Sequence, residues 1–225
     1  GYWSRGLGDV YKRQIKSPKP PRLLLEDLFA FAPNREILGG TSYFIGEKSG
    51  NVLIDCPVYH PDYLSFINKQ GGVKWLFLSH RGGISPSLKS WQQALNCHVI
   101  IQEQEAYLLP TMTVTSFEKE MAIAESMTII WTPGHSTGSS CLYWQRHGGV
   151  LFTGRHLLPD RKGFPVPLKL DKTFHWGRQL QSVALLCDRF SPDTLHYICP
   201  GANTRLLGET GLIDDAYQSL TRFAE

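Results

Sequence analysis

The sequence predicts an α+β fold, a four-layer αββα sandwich in which two mixed β-sheets pack face to face between outer helices. Short apolar segments separated by turn residues open each half of the chain, and segments with helical spacing follow them. Residues 73–78 are apolar except for Lys74, which is typical of a strand buried on both faces. Strands followed by helices in both halves favour two packed sheets covered by helices.

In the first half, strands are predicted where apolar segments end at turn residues such as Gly39 and Gly50. The predicted strands are 28–31, 42–45, 51–54, 73–78 and 98–101. Segments with helical spacing follow the third, fourth and fifth of these strands, at 61–68, 87–95 and 104–108.

The second half repeats the arrangement, with predicted strands at 127–131, 141–144, 150–152 and 195–199. Helices are predicted at 176–190, where Leu180, Val183 and Leu186 share one face, and at 212–223. We expect residues 23–225 to form a single domain. We interpret residues 1–22 as an extended or disordered segment: residues 1–14 have no clear periodicity and are interpreted as non-native or disordered, and residues 16–22, with three prolines, as an extended entry into the domain.

Composition excludes several classes of protein. A hydrophobic content of 42% supports a sizeable core, and no apolar stretch reaches the roughly 18 residues of a membrane span. Residues 1–22 carry a net charge of +5, which leaves −2 of the total +3 for the rest, so no nucleic-acid surface is expected. The five cysteines are dispersed and form no C-x-x-C pair, which favours reduced thiols in a cytoplasmic protein.

Three segments carry the chemical signal. Residues 78–85 read LSHRGGIS, residues 131–139 read WTPGHSTGS and residues 151–155 read LFTGR. Together they resemble the metallo-β-lactamase fold superfamily, whose metal loop T/S-H-x-H-x-D-H is followed by T-P-G-H-T-x-G-S, L-F-T-G-D and a late G-H. The resemblance covers about residues 25–220. It implies the αββα sandwich, with a site that in the family holds two metal ions and makes hydroxide available for hydrolysis.

Carried over residue by residue, the resemblance places two of seven metal ligands, at His80 and His135. The remaining family positions hold side chains that do not fit the family's ligand set: Gly82, Ile84, Ser85, Arg155 and Ala202. The chain is nearer to a variant family loop, H-x-D-D-V-x-D-H-x-x-W, which places Gly82, Gly83, Pro86 and Ser87 at ligand positions and whose tryptophan falls one residue before Trp91. Both alignments predict that the second metal site is absent.

Arg155 is the decisive substitution, because it replaces the family's bridging carboxylate with a group that is always protonated and has no lone pair to donate. A guanidinium close to Zn²⁺ would repel it by several kcal/mol even at an effective dielectric near 20. We therefore predict no dinuclear centre. We further predict that Arg155 pairs with Asp55, which matches a family aspartate behind the metals.

A single zinc ion on His80 and His135 is the alternative, and it needs a third protein ligand from among His156, Asp55 and Cys56. The first hypothesis is thus a metal-free binding or scaffold pseudo-hydrolase, whose cleft takes a small anion. This cleft would be formed by Asp55, His80, Arg81, Gly82, Gly83, His135, Arg155 and His156, with the glycines allowing a ligand close to the backbone.

Two other functions remain open. One is a mononuclear metal-dependent hydrolase of thioesters, esters or lactones, similar to glyoxalase II. The other is metal-free catalysis by Ser79 beside His80, or by Ser136 beside His135, although neither serine lies in a recognisable nucleophile elbow. The sequence predicts neither a protein partner nor an oligomeric state.

Overall fold

The structure, a computed structural model, describes residues 17–224. Most of the predicted N-terminal segment, residues 1–16, lies outside the described residues. The described part of that segment leads directly into the first strand, which begins at Arg22. Its backbone is held to the domain where Tyr63 Oη donates a hydrogen bond of 2.7 Å to the carbonyl of Lys19.

The first sheet has seven strands, which are neighbours in the sheet in the order of the chain. They are Arg22–Leu25 (β1), Leu28–Ala30 (β2), Tyr43–Ile45 (β3), Val52–Ile54 (β4), Trp75–Phe77 (β5), His98–Gln102 (β6) and Val114–Phe117 (β7). The pairs from β1 to β4 are antiparallel and those from β4 to β7 are parallel. The sheet is therefore mixed, and its parallel half is the part that carries helical crossovers.

The second sheet has five strands: Glu120–Ala124 (β8), Met127–Trp131 (β9), Ser140–Trp144 (β10), Val150–Gly154 (β11) and, later in the chain, Tyr197–Pro200 (β14). Their order is β14-β11-β10-β9-β8, with β11 and β14 parallel and the other pairs antiparallel. A separate short hairpin joins Leu158–Pro159 (β12) and Pro165–Val166 (β13).

Four α-helices flank the sheets: Pro61–Lys69 (α1), Leu88–Leu95 (α2), Trp176–Arg189 (α3) and Ala216–Ala224 (α4). Two of them begin at histidine caps. His60 Nδ1 accepts from the amide of Asp62 at 3.0 Å, and His175 Nδ1 accepts from the amide of Arg178 at 3.1 Å. Each cap satisfies an amide that has no partner within its helix.

Three apolar clusters define the layers. The largest lies between the sheets, where Ile54 and Phe77 of the first sheet meet Leu142 and Phe152 of the second. A second cluster packs α1 and α2 on the outer face of the first sheet, and a third packs α3 and α4 on the outer face of the second. The order helix, sheet, sheet, helix confirms the predicted fold class.

Several elements differ from the predictions. The sequence did not predict β1, β7 or β8, which all lie at sheet edges. The helix predicted at 104–108 is a 3-10 segment, Glu103–Leu108. The last helix begins at Ala216 and not at residue 212, because Ile213 pairs with Ile198 of β14 in an isolated bridge.

Composition gave two further expectations, one about the cysteines and one about membrane-spanning segments. All five cysteines are free thiols, and four of them are buried. Within residues 17–224, no helix combines the length and the apolar character needed to cross a membrane.

A buried hydrogen bond ties the two sheets together, and its loss should be measurable. Tyr43 Oη donates to the carbonyl of Pro200 at 2.6 Å, out of contact with solvent. We expect Tyr43→Phe to lower the free energy of unfolding by about 1–2 kcal/mol, because the carbonyl is left unpaired in the core. Urea denaturation measures the change. Tyr143→Phe is the matched control: its bond to the Thr194 carbonyl is also 2.6 Å long but exposed, so water replaces it. Equal losses would contradict the prediction.

Candidate functional site

The predicted site residues meet where loops leave the ends of four strands. Asp55 follows β4, His80 follows β5, His135 lies between β9 and β10, and Arg155 follows β11. Backbone hydrogen bonds join these loops, one of them between the two sheets and one between the neighbouring strands β11 and β14. The amide of Ser140 donates to the carbonyl of Ser79 at 2.8 Å, and the amide of Gly201 donates to the carbonyl of Gly154 at 2.7 Å. The sequence therefore brings its three motif segments together at one edge of the sandwich.

Asp55, Ser79 and His80 form a buried hydrogen-bonded chain. Asp55 Oδ1 accepts from the Ser79 amide at 2.9 Å, and Asp55 Oδ2 accepts from the Ser79 hydroxyl at 2.7 Å. Ser79 Oγ also lies 2.9 Å from His80 Nδ1. Because the hydroxyl proton is directed to the carboxylate, we assign the Nδ1–H tautomer to His80. His80 Nε2 is then a buried acceptor, and it has no partner among the described residues.

This chain also bears on the suggestion that Ser79 is a nucleophile. The Ser79 side chain is buried, and its hydroxyl donates to a carboxylate and not to an imidazole. A nucleophilic serine donates its proton to the general base. Ser79 thus positions His80, and the arrangement does not support nucleophilic catalysis at this residue.

Burial and hydrogen bonding act in opposite directions on Asp55. Burial raises the pKa of its carboxyl from 3.8 to about 6, although the two hydrogen bonds from Ser79 and the charge of Arg155 oppose that rise. Asp55 is 3% exposed, so its carboxyl is almost entirely shielded from solvent.

Gly82 and Gly83 follow His80 in a short 3-10 turn, Arg81–Gly83. A Cβ at Gly82 would lie 2.7 Å from His80 Nε2, and a Cβ at Gly83 would lie 2.5 Å from Asp55 Oδ1. The close approach that we expected a ligand to make at these glycines is therefore made by the protein's own side chains. The same distances show that a histidine at position 82, as in the family loop, requires His80 to move.

His135 and His156 are neutral at physiological pH. The imidazole rings of His135 and His80 meet edge to face, with centroids 5.4 Å apart. Burial and then the charge of Arg155 lower the pKa of His135 to about 4, and burial and then His135 lower the pKa of His156 to about 3. His156 is fully buried with neither ring nitrogen partnered in the described chain. Burial likewise holds the pKa of His80 well below its ordinary value, with His135 and Arg155 adding to the effect.

The ion pair predicted between Arg155 and Asp55 is not formed. Among the described residues, the ion pairs within 4.0 Å do not include it. Instead, Arg155 Nη2 donates to the carbonyls of Leu38 at 2.7 Å and Ile37 at 3.3 Å. Two causes explain the difference: both Asp55 oxygens already bind Ser79, and Leu38, with a φ of 59°, ends a turn whose carbonyls converge on the guanidinium. Arg155 Nε is buried without a partner in residues 17–224.

Arg81 makes its contacts away from Arg155. Its Nη2 donates to Tyr107 Oη at 2.7 Å, and its Nε lies 3.7 Å from Glu105 Oε1. Glu105 is fully buried and also accepts from the Gly138 amide at 3.0 Å. Glu105 was not predicted as a site residue. In the sequence it looks like the neighbouring polar residues, and only its contact with Gly138 distinguishes it. Arg81 is neutralised by this carboxylate, so Arg155 supplies the positive charge of the site.

The donor set does not fit a dinuclear metal centre. Within residues 17–224, no group of three or more His, Cys, Asp or Glu side chains is arranged to hold a metal ion. Of the third ligands considered, Asp55 is bonded to Ser79, and Cys56 is buried in the cluster beneath α1 and α2. Two positions that the resemblance aligned with family ligands have other partners here, since the hydroxyls of Ser85 and Ser87 donate to Glu36 at 3.0 and 3.1 Å.

Buried polar atoms without protein partners concentrate at this edge. With the exception of His60 Nε2, those found among the described residues belong to His80, Glu105, Ser136, Ser139, Arg155, His156 and Gln179. Gln179 lies at this edge because its side-chain amide donates to the carbonyl of His156 at 3.1 Å, and its Oε1 is the atom without a partner. Since buried polar groups are nearly always hydrogen-bonded, this concentration indicates a polar occupant, either water or a ligand.

Comparison with known proteins supports the fold alone. No protein-family model and no curated protein matches the chain. Among solved structures, a metallo-β-lactamase family protein from Thermus thermophilus is 18% identical, with a TM-score of 0.64 over 90% of this chain and 80% of that one. The mono-zinc metallo-β-lactamase FIM-1 from Pseudomonas aeruginosa is 11% identical, with a TM-score of 0.66 over 93% and 96%. An archaeal superfamily protein from Sulfolobus tokodaii is 15% identical, with a TM-score of 0.59 over 88% and 86%. The chain has the metallo-β-lactamase fold.

Proposed function

We propose that this protein is a metal-free member of the metallo-β-lactamase fold, a pseudo-hydrolase whose cleft binds a small anionic ligand. The observation that carries the proposal is the replacement of the bridging carboxylate by Arg155, whose Nε is buried and unpaired in the described chain. A guanidinium favours carboxylate and phosphate oxygens and repels metal cations. The positive charge of Arg155 therefore disfavours two metal ions and favours an anion at the same place.

The neighbouring groups narrow the class of ligand. His80 presents an unpartnered Nε2 acceptor, so it would accept a hydrogen bond from a ligand hydroxyl. Arg155 would donate to the ligand's negative group. A hydroxy-carboxylate or a protonated phosphate carries both features, and we propose this class. The neutral imidazoles of His80 and His135 add no charge of their own.

Isothermal titration calorimetry with malate and with inorganic phosphate tests the proposal. We expect saturable binding of at least one of them, weakened about tenfold or more by Arg155→Gln, because a charge-assisted hydrogen bond is lost. Arg161→Gln is the control, since Arg161 is exposed in the turn between β12 and β13. If neither anion binds, or if both variants bind equally well, the anion site is wrong.

Metal content separates this proposal from the mononuclear alternative. Elemental mass spectrometry should find less than about a tenth of an equivalent of zinc, iron or manganese in protein purified without metal-affinity resin. About one equivalent, lost in His80→Ala, would instead support a residual hydrolase of thioesters, esters or lactones, of the glyoxalase II type. The 5.4 Å separation of the His80 and His135 rings is the observation that keeps this alternative worth testing.

A further inference from the structure

A large cavity lies outside the site described above. It has a volume of about 940 Å³ and runs between residues 18–22, the β2–β3 region and residues 204–211. Its lining includes none of the site residues Asp55, His80, His135 or Arg155. The volume falls within the range of small-molecule pockets in proteins.

The walls of this groove are mostly apolar. Phe31, Tyr43 and Tyr63 line it and are each at most 2% exposed, while Pro18, Pro20 and Pro21 also line it and are half-buried or exposed. The two tyrosine hydroxyls are already bonded to backbone carbonyls, at Pro200 and Lys19. The accessible apolar surface therefore comes from the prolines and from the half-buried Val58, and its burial by an occupant is favourable.

The charges that line the groove all have one sign. Of residues 17–224, Lys19, Arg22 and Arg205 line it and no acidic residue does. None of the three forms an ion pair with an acid in the described part of the chain. Arg22 lies against Gly211, where a Cβ would overlap its guanidinium. A guanidinium at the edge of an apolar wall can bind a carboxylate that is attached to an apolar body.

We propose that this groove binds an amphipathic carboxylate of the medium-chain fatty-acid class, free in solution. Its carboxylate lies between Arg22 and Arg205, and its acyl chain lies along the prolines and Val58. The inference does not depend on the anion site at Arg155, because the two sites share no residue.

Titration calorimetry of the full chain with dodecanoate, below its micelle concentration, tests the proposal, and 1-dodecanol is the uncharged comparison. We expect one saturable site, about tenfold or more weaker for dodecanol and weakened about tenfold or more by Arg22→Ala and by Arg205→Ala. Both arginines are exposed at the surface, so neither variant should unfold. Lys89→Ala, which removes an exposed cation on α2, should bind as the unaltered protein does.

Three results would overturn the inference. They are the absence of saturable dodecanoate binding, equal affinity for dodecanol, and binding that survives both arginine substitutions. Loss of binding in Arg155→Gln with retention in Arg22→Ala would place the fatty acid in the cleft, and it would also overturn the groove site. Dodecanoate binding that is unchanged in Arg155→Gln supports the groove even if malate and phosphate fail to bind.

Discussion

Gly83→Ala is expected to lower the free energy of unfolding by about 2–4 kcal/mol, a large effect for one added methyl group. The new Cβ would lie 2.5 Å from Asp55 Oδ1, so the carboxylate would have to move. Asp55 is buried and holds Ser79 by two hydrogen bonds, which in turn orient His80. Moving it would leave buried polar groups unpaired, which is the costly consequence. Urea denaturation at pH 7 measures the change.

Gly46→Ala provides the matched control. Its added Cβ would lie 3.4 Å from the side chain of Asp27, an ordinary van der Waals distance, and Gly46 does not have a positive φ. We expect a change within about 0.5 kcal/mol. If Gly83→Ala lowered the free energy of unfolding no more than Gly46→Ala does, the turn at residues 81–83 would be able to accept side chains. The metal ligands of the family loop could then be introduced there one by one.

The glycine contacts also explain why the sequence predicted the site only in part. The motif order placed His80, His135 and Arg155 at one edge correctly, because each follows a recognisable apolar strand. Side-chain direction could not be predicted in the same way. Whether Asp55 pairs with Arg155 or with Ser79 depends on which donor lies nearer in three dimensions, and the Ser79 amide and hydroxyl take both oxygens.

The same limit applies to the secondary structure. The buried strand at 73–78 was predicted from its apolar run, and the structure places β5 at Trp75–Phe77 within it. The unpredicted strands β7 and β8 lie at sheet edges and contain exposed residues such as Ser116 and Glu120. Their pairing is decided by long-range neighbours, so the local pattern is weak.

The stability of the protein should fall steeply as the pH drops from about 6.5 to 4. Burial lowers the folded-state pKa of His80, His135 and His156 below the unfolded value near 6.5, so in this window the unfolded chain takes up protons that the folded protein does not. Asp55 opposes this effect, because its raised pKa of about 6 lets the folded state bind one proton first. Three imidazoles against one carboxyl leave about two extra protons on the unfolded chain, or roughly 2–3 kcal/mol per pH unit at most.

His156→Leu isolates one part of this dependence. The ring of His156 is fully buried with both nitrogens unpartnered in the described chain, so leucine removes a group that must stay neutral in the folded state. We expect the slope of unfolding free energy against pH to decrease by up to about 1.4 kcal/mol per pH unit, the contribution of one proton. An identical slope in His156→Leu would mean that the folded protein protonates His156 as readily as the unfolded chain does. That result would indicate a ligand or water that hydrogen-bonds to His156 and stabilises its protonated ring in the folded state.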